Sequence, residues 1–471
     1  MQKVTVIDKR CSTGKSQGMV KDIKNSVMGL TGEKFLYITP YLEQCHTLAG
    51  TEPISEYDDR PKRDKDGVVI YKETEFNLAY ARFKHPDNRN SEGTKQESLK
   101  RLMANGEHIV STHKLFLEMK LDTLNNADKY TLVLDETLDI FETCNLLSSK
   151  QASKLLKLNI LRVLDDGITL QFDRNKFGDE LEDGEDAVED THYEELAVLC
   201  DNKQLMLVNG HVIMWEFSSE IIKKFKKVYI LTYLFEGREM SVYLKKHGID
   251  YVVEKGISGG KDIAHLVEIL YDDKLNAVGD NDFALSVSRT RRTTNGKKHR
   301  GRKEPIRDNY DSDEKFKRTV SRYQSYIKNC DAKLKSADET ADTLRRNLHT
   351  VMSARWGAKA GDRYFTCLES NKEFIAGKNY KNDWLAFSIK ATNMYKDKHH
   401  IAFLMNIFMQ PTIKQVCDGT DFEVDEDLVC LSHLIQFMYR SALRKNEKIK
   451  IYIPSSRMRG LLQDYLDGVY D

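Results

Sequence analysis

The sequence lacks several features that would assign it to a special class of protein. Its eight cysteines are scattered and no two form a Cys-x-x-Cys pair, which argues against a zinc ribbon or a disulfide framework and suits a reducing compartment. No apolar run approaches the roughly 20 residues that a membrane span requires. The first residues show no apolar stretch behind a basic one, so no secretory signal is predicted. We therefore expect a cytoplasmic protein with no membrane partner.

The chain also lacks an excess of charge of either sign. Lys and Arg together count 73, Asp and Glu together also count 73, and the formal net charge is zero. A zero net charge neither favours nor excludes a polyanionic partner, so any nucleic-acid contact has to come from a local patch. Residues 179–190 form an acidic patch and residues 289–307 a basic one. The basic patch is the better candidate for contact with phosphates, and a solvated linker is the alternative.

Short apolar runs without alternation indicate strands that are buried on both faces. The first half of the chain has five such runs, separated by stretches of helical character: residues 4–7, 35–38, 108–110, 130–134 and 228–231. Two more candidates, residues 384–389 and 449–453, lie near the end of the chain, with a helix predicted over 428–443 between them. This pattern predicts the α/β fold class, with parallel sheets in two domains.

Composition divides the chain into three parts. Residues 1–255 are predicted to form an N-terminal domain that carries an insertion at about 150–215 around the acidic patch. Residues 256–330 are predicted to be a linker or insertion that contains the basic patch. Residues 331–471 are predicted to form a smaller C-terminal domain.

The loop after the first predicted strand carries a candidate phosphate-binding site. Such a loop needs a small residue where the backbone wraps the phosphates, a lysine for their oxygens and a hydroxyl for Mg²⁺. Gly14, Lys15 and Ser16 supply these groups, and Thr13 precedes them. The full pattern has glycine at position 9, where this chain has Lys9. A Gly-Lys-Ser trio often occurs by chance, but its place between a strand and a helix favours the phosphate loop.

Two acids follow the strand predicted over 130–134. An acid at the end of a buried strand is costly unless it is used. We interpret Asp135 as a ligand of Mg²⁺ through water and Glu136 as the group that polarises an attacking water. The alternative is a helix N-terminus, where acids suit the helix dipole. The phosphate loop earlier in the chain favours the first interpretation.

Gln436, Arg440 and Arg444 recur at intervals of four residues, which places them on one face of the helix predicted over 428–443. A face with two arginines is a candidate to deliver an arginine finger to a γ-phosphate. The alternative is an amphipathic helix whose arginines are solvated.

The order of these motifs resembles that of superfamily 2 helicases and translocases, in particular phage-encoded DEAD-like members. Gly14 to Ser16 is similar to motif I, Asp135 and Glu136 to motif II, and residues 436–444 to motif VI. Residues 231–233 lie where that family has motif III. The resemblance implies nucleic-acid contacts at six residues, namely Thr39, Pro40, Thr112, Lys114, Thr392 and Asn393.

The chain departs from the family pattern in three motifs. Asp135 and Glu136 are followed by Thr137 and Leu138, so the final acid of motif II is missing. Motif III keeps only Thr232. The second arginine of motif VI falls one residue late, which leaves open whether Arg440 or Arg444 is the finger.

The resemblance implies two RecA-like domains with an ATP cleft between them, and ATP and Mg²⁺ as cofactors. It implies an ATP-dependent helicase or translocase of phage replication or recombination, with single-stranded or forked DNA as a partner and replication proteins as further partners. Two alternatives stay open. A terminase-like DNA-packaging ATPase would need a C-terminal cluster of acids, which is not evident after residue 380. A non-enzymatic scaffold would bind nucleic acid through residues 289–307.

Overall fold

A computed structural model describes most of the chain. The described residues are 4–29, 31–49, 51–53, 55–56, 60–61, 71–73, 83–87, 93–119, 121–124, 126–180, 190–210, 212–256, 259–278, 305–307, 310–387, 394–418 and 423–471. Two compact units divide them: residues 1–257 with 409–426, and residues 258–408 with 427–471. Within the described ranges, no helix combines the length and the apolar character that crossing a membrane requires.

The first unit alternates strands and helices along the chain. Its strands are β1 Val4–Asp8, β2 Lys34–Thr39, β3 Thr51–Pro53, β4 Ser55–Glu56, β5 Arg60–Pro61, β6 Tyr71–Glu73, β7 Ile109–Thr112, β8 Tyr130–Asp135, β9 Phe141–Thr143, β10 Leu161–Val163, β11 Leu170–Phe172, β12 Leu205–Val208, β13 Val212–Glu216, β14 Lys227–Thr232 and β15 Tyr251–Lys255. Its first nine helices are α1 Lys15–Met28, α2 Leu42–Leu48, α3 Lys95–Ala104, α4 His113–Leu117, α5 Ser149–Lys157, α6 Arg174–Glu180, α7 Asp190–Asp201, α8 Ser219–Lys224 and α9 Glu239–Lys246.

Six of these strands form one parallel sheet in the order β15-β1-β14-β8-β2-β7. All five strands predicted in the first half of the chain are in it. The strand β8 is buried along its whole length, as its uninterrupted apolar run predicts. The edge strand β15 was not predicted, because its residues are only half-buried or exposed and it carries Glu254 and Lys255. The strand β14 lies between β1 and β8. The residues predicted as motifs I, III and II therefore lie at the carboxyl ends of three neighbouring strands.

The segment after β8 has a small core of its own. Strands β12, β13 and β9 form an antiparallel sheet, and β10 and β11 form a hairpin. Helices α5 and α7 contribute Leu155 and Leu196 to a buried cluster with Ile160, Leu205 and Ile213. The segment predicted as an insertion at about 150–215 therefore contributes an additional α/β layer to the first unit.

The second unit is built on a smaller parallel sheet. Its strands are β16 Val267–Ile269, β17 Arg363–Thr366, β18 His400–Phe403 and β19 Ile449–Tyr452, in the order β16-β19-β18-β17. The helices from residue 313 onward are α10 Asp313–His349, α11 Lys372–Ala376, α12 Pro411–Asp418, α13 Glu426–Met438 and α14 Ser456–Leu466. Of these, α12 lies in the stretch that belongs to the first unit. The predicted α/β class with two parallel sheets is confirmed.

One predicted strand of the second unit is wrong, and one predicted helix is shorter than expected. The strand predicted over 384–389 is reduced to an isolated bridge between Trp384 and Phe365, and residues 388–389 lie outside the described ranges. The carbonyl groups of Ala386 and Phe387 accept hydrogen bonds from the Arg440 guanidinium instead of from a neighbouring strand. The three short strands β16, β17 and β18 were not predicted, and β16 lies in the segment predicted as a linker.

The helix predicted over 428–443 also ends early, at Met438. The hydroxyl group of Ser441 donates to the Met438 carbonyl oxygen and accepts from the Leu443 amide. These bonds close the end of α13 and begin a separate 3-10 turn, Ala442–Lys445. The hydrogen bonds of the Ser441 side chain therefore end the helix where the apolar spacing predicts that it continues.

Candidate functional site

The loop between β1 and α1 follows a tightly wound path. Ser12 has φ 63° and Gly14 has φ 80°, both in the left-handed region. The Thr13 hydroxyl donates to the Arg10 carbonyl oxygen at 2.8 Å, which tightens the turn between them. The first turn of α1 has no acidic side chain, and no side chain caps it. Its amide groups are therefore available to an anion, as a phosphate loop requires.

Lys9 occupies the position where the full phosphate-loop pattern has glycine, and the fold shows how it is tolerated. The φ of Lys9 is not positive, so its backbone does not demand glycine. The Lys9 side chain lies against Gly256, just beyond β15, where an added Cβ would approach the Lys9 Cγ to 3.0 Å. The missing side chain at position 256 therefore makes room for the lysine at position 9.

Ser16 and Asp135 are brought together although they are distant in the chain. The Ser16 hydroxyl donates to Asp135 Oδ1 at 2.9 Å. The Tyr37 hydroxyl, fully buried on β2, donates to Asp135 Oδ2 at 2.9 Å. Burial, together with the neighbouring carboxylate of Glu136, raises the pKa of Asp135 to about 6. The predicted metal-binding pair is thus assembled at the carboxyl edge of the sheet, with Tyr37 as a second hydrogen-bond donor.

Lys15 is the least satisfied group of the loop. Its ammonium nitrogen is buried, and it has no hydrogen-bond partner in the part of the chain that the structure describes. Its charge acts on Asp135, whose pKa it lowers against the larger effect of burial. A buried ammonium without hydrogen-bond acceptors is costly, and phosphate oxygens would supply them. The loop, Lys15, Ser16 and Asp135 therefore fit a magnesium–nucleotide.

Glu136 sits in a strained turn directly after β8. Its φ is 76°, in a region that residues other than glycine rarely adopt. Its amide donates to the Leu231 carbonyl oxygen at the end of β14 at 2.9 Å. Residues 137–140 are not helical, and the next element is β9, so the alternative of a helix N-terminus at these acids is wrong. Strained residues of this kind cluster at functional sites.

The loop after β14 connects to both neighbouring strands. The buried Asp8 carboxylate, at the end of β1, accepts hydrogen bonds from the amides of Leu234 at 2.8 Å and Phe235 at 3.0 Å. The buried Arg238 guanidinium donates to Thr137 Oγ1 at 3.1 Å and to the Tyr233 carbonyl oxygen at 3.3 Å. Neither Asp8 nor Arg238 was predicted, because their partners lie about a hundred or more residues away in the chain or are backbone groups. An acid at the very end of β1 was the one available signal.

The predicted nucleic-acid contacts of the first unit lie in different environments. Thr39 is fully buried, and its hydroxyl donates to the Gln44 side chain. The next residue, Pro40, is half-buried. Thr112 caps α4 by accepting from the Leu115 amide at 3.3 Å, while Lys114 is exposed. Lys114 is therefore the most accessible of the four.

Three predicted sites of the second half were Thr392 with Asn393, the basic patch, and the arginine helix. Thr392 and Asn393 lie outside the described residues, as does the basic patch up to residue 304. Gln436 is half-buried within α13. Arg440 and Arg444 follow the end of α13, so the three residues do not share one helix face. The Arg440 guanidinium is buried against the carbonyls of Ala386 and Phe387, whereas Arg444 is exposed.

The first unit is thus a parallel α/β unit with a phosphate-loop geometry after its first strand and an acid pair two strands away. Residues 261–466 match the family described as the YonV C-terminal Rossmann-like domain. The chain is also 27% identical, over 486 residues, to the SPbeta prophage-derived uncharacterized protein YonV of Bacillus subtilis (strain 168), covering 99% of this chain and 100% of that protein.

Two solved helicase structures resemble the chain only distantly. The DUF1998 helicase MrfA gives a TM-score of 0.32 and the XPD helicase a TM-score of 0.31, each at 10% identity over 98% of this chain. The chain spans 48% of the MrfA chain and 90% of the XPD chain. At these TM-scores, the fold assignment rests on the sheet topology alone.

Proposed function

We propose that the protein is a Mg²⁺-dependent ATP hydrolase that moves on or unwinds nucleic acid. The observation that supports the hydrolase most is the buried Lys15 ammonium group, which has no hydrogen-bond partner among the described residues and lies beside the bonded pair Ser16 and Asp135. These groups follow a loop whose backbone turns twice through the left-handed region. A structural role for Lys15 would leave its ammonium hydrogen-bonded to the protein.

Each residue of the site has a defined task in this proposal. Gly14 and the first amides of α1 would hold the phosphates, with Lys15 on their outer oxygens. Ser16 and Asp135 would hold Mg²⁺, which, when bound, neutralises charge on the phosphates. Glu136 would orient the attacking water and accept its proton. The hydroxyl groups of Ser16 and Tyr37 each donate to the Asp135 carboxylate and hold it in place.

An arginine finger is the remaining group that the proposed hydrolysis requires, and motif VI supplies it in the family that the chain resembles. Of the two candidates, Arg440 is engaged with backbone carbonyls, whereas the Arg444 side chain is exposed and makes no hydrogen bond within the described part of the chain. We therefore propose Arg444 as the finger.

The nucleic-acid part of the proposal is supported by the order of the motifs, by the basic patch at 289–307 and by the exposed Lys114. The prophage origin of the relative in Bacillus subtilis supports a phage context. Single-stranded or forked DNA is the proposed partner, and strand separation is the proposed outcome of movement.

The test is ATP turnover by the full chain, with and without single-stranded DNA and RNA. We expect turnover that nucleic acid stimulates and that Lys15→Ala and Glu136→Gln reduce by about 100-fold or more. Lys21→Ala, on the exposed face of the same helix, and Glu142→Gln, exposed on β9, are the matched controls. A flat background in the unmodified chain would refute the hydrolase and favour the scaffold. Turnover without stimulation would refute only the nucleic-acid part.

A further inference from the structure

Arg238 is a buried cation that the proposed chemistry does not use. It is 6% exposed and immediately precedes α9. In the described part of the chain it has no carboxylate partner, and its Nε has no hydrogen-bond acceptor. Burying a guanidinium without a counter-ion costs free energy, so a purely structural role would be served better by a neutral side chain. Its two hydrogen bonds indicate what it does.

The two hydrogen bonds of Arg238, together with one from the Glu136 amide, hold the turn that carries Glu136. On one side, the Glu136 amide donates to the Leu231 carbonyl oxygen at 2.9 Å. On the other side, Thr137 Oγ1 accepts from Arg238, which also donates to the Tyr233 carbonyl oxygen. The residues before and after the Glu136–Thr137 peptide bond are therefore tied to the end of β14 and to the loop that follows it.

The turn needs such a restraint because its backbone is unfavourable. A φ of 76° is unfavourable for a glutamate, and such a conformation persists only when its surroundings impose it. The direction of the Glu136 side chain is set by the backbone conformation at this residue. Relaxation of the turn toward a common φ would therefore swing the carboxylate away from its present direction.

The geometry points to Arg238 as a positioning residue that holds Glu136 in its hydrolytic orientation through Thr137. This inference rests on the proposed hydrolase function. It assigns no contact between Arg238 and the nucleotide, so the loss of Arg238 changes the rate of the chemical step and not the affinity for nucleotide. Displacement of a reacting group by about 1 Å costs up to about 100-fold in rate.

The experiment compares Arg238→Met, Thr137→Val and the double variant in the full chain. For each we measure kcat and KM for ATP, the affinity for a fluorescent ADP analogue and the midpoint of thermal unfolding. Arg238→Met removes the donor, and Thr137→Val removes the acceptor with little change of volume. Arg162→Met, an exposed arginine on β10 paired with Asp173, is the matched control.

We expect each single variant to lower kcat by about 10- to 100-fold, with KM and the affinity for the ADP analogue changed less than about twofold. The double variant should be no slower than the slower single variant, because both remove the same link. Unchanged kcat in Thr137→Val, multiplicative losses in the double variant, or weakened binding of the ADP analogue would each overturn the inference.

The two proposals fail in different ways. If the unmodified chain neither binds the ADP analogue nor hydrolyses ATP, the hydrolase function fails, and the role of Arg238 fails with it. If the unmodified chain hydrolyses ATP and the Thr137 variant does so equally well, only the role of Arg238 fails. Should Arg238→Met not fold, Thr137→Val alone decides, because it leaves the guanidinium in place.

Discussion

The two parallel sheets differ most at their carboxyl edges. In the first unit, the loops after the neighbouring strands β1, β14 and β8 each contain a non-glycine residue with positive φ, namely Ser12, Leu234 and Glu136. In the described part of the second unit the only such residue is Asn446, which precedes β19 at the opposite edge. Of the two carboxyl edges, only that of the first unit therefore carries positive-φ residues other than glycine in the described part of the chain.

Polar side chains at the two carboxyl edges also differ in whether they have hydrogen-bond partners. After β19 and β18 of the second unit, Arg459 donates to the Ile453 carbonyl oxygen at 2.7 Å and Arg457 to that of Ile407 at 2.7 Å. Both arginines there serve backbone groups of their own unit. At the first edge, Lys15 Nζ and Thr232 Oγ1 are buried without hydrogen-bond partners among the described residues. At the first edge, backbone strain and unmet hydrogen-bonding capacity therefore occur together, as is expected of an edge prepared for a ligand.

The largest expected effect on stability follows from removing the charge of Asp135. Because its pKa rises from 3.8 to about 6 on folding, the folded unit loses stability as the pH rises from about 4 to about 6, and the loss stays constant above that. Without metal or nucleotide, Asp135→Asn should raise the free energy of opening β8 by about 3 kcal/mol at pH 8 and by almost nothing at pH 4. Hydrogen exchange of the β8 amides measures this. An equal gain at both pH values would contradict the prediction, and Asp128→Asn, exposed just before the start of β8, is the control.

The second largest effect concerns the other unit. Arg440→Met should lower the stability of α13 by about 2 kcal/mol, because the carbonyls of Ala386 and Phe387 lose a charged donor. Hydrogen exchange of α13 amides reports the loss. The amides of β8, in the first unit, should exchange as in the unmodified chain. A loss of turnover with unchanged exchange in α13 would instead identify Arg440 as the arginine finger.

A smaller effect is expected at the strained turn. Glu136→Gly should stabilise β8 by about 1 kcal/mol, since glycine adopts a φ of 76° without strain, while turnover is lost. Asn126→Gly is the comparison, because Asn126 also has positive φ but is of a residue type that tolerates it. If both variants gain equally, strain at Glu136 is not exceptional and the contrast between the two edges weakens.

The smallest effect on stability is expected at Arg444. Arg444→Met should change the free energy of unfolding by less than about 0.5 kcal/mol, because the side chain is exposed. The proposed finger role predicts that kcat nonetheless falls by about 1000-fold. Thermal unfolding and single-turnover hydrolysis separate the two effects. A variant with unchanged kcat would remove Arg444 from the site.

The large sheet could be predicted from the chain because long apolar runs such as Thr131 to Leu134 are fully buried in it. Of the smaller sheet only β19 was predicted, because β16 to β18 have just three or four residues each. The strand predicted over 384–389 is wrong, since the carbonyls of Ala386 and Phe387 bond to Arg440 instead. The same division holds for the site. Ser16 and Asp135 were expected to meet, as they do, because their roles depend on local motifs. Tyr37, Asp8 and Arg238 act through partners that only the folded sheet brings near.

The contact between Lys9 and Gly256 has a consequence for tracing relatives of this chain. A search pattern that demands glycine at the front of the phosphate loop passes over any chain built like this one. Because the space for Lys9 is provided beyond β15, positions 9 and 256 should vary together: a bulky residue at the first should accompany glycine at the second. An exchange at either of these two positions costs least when glycine stands at the other.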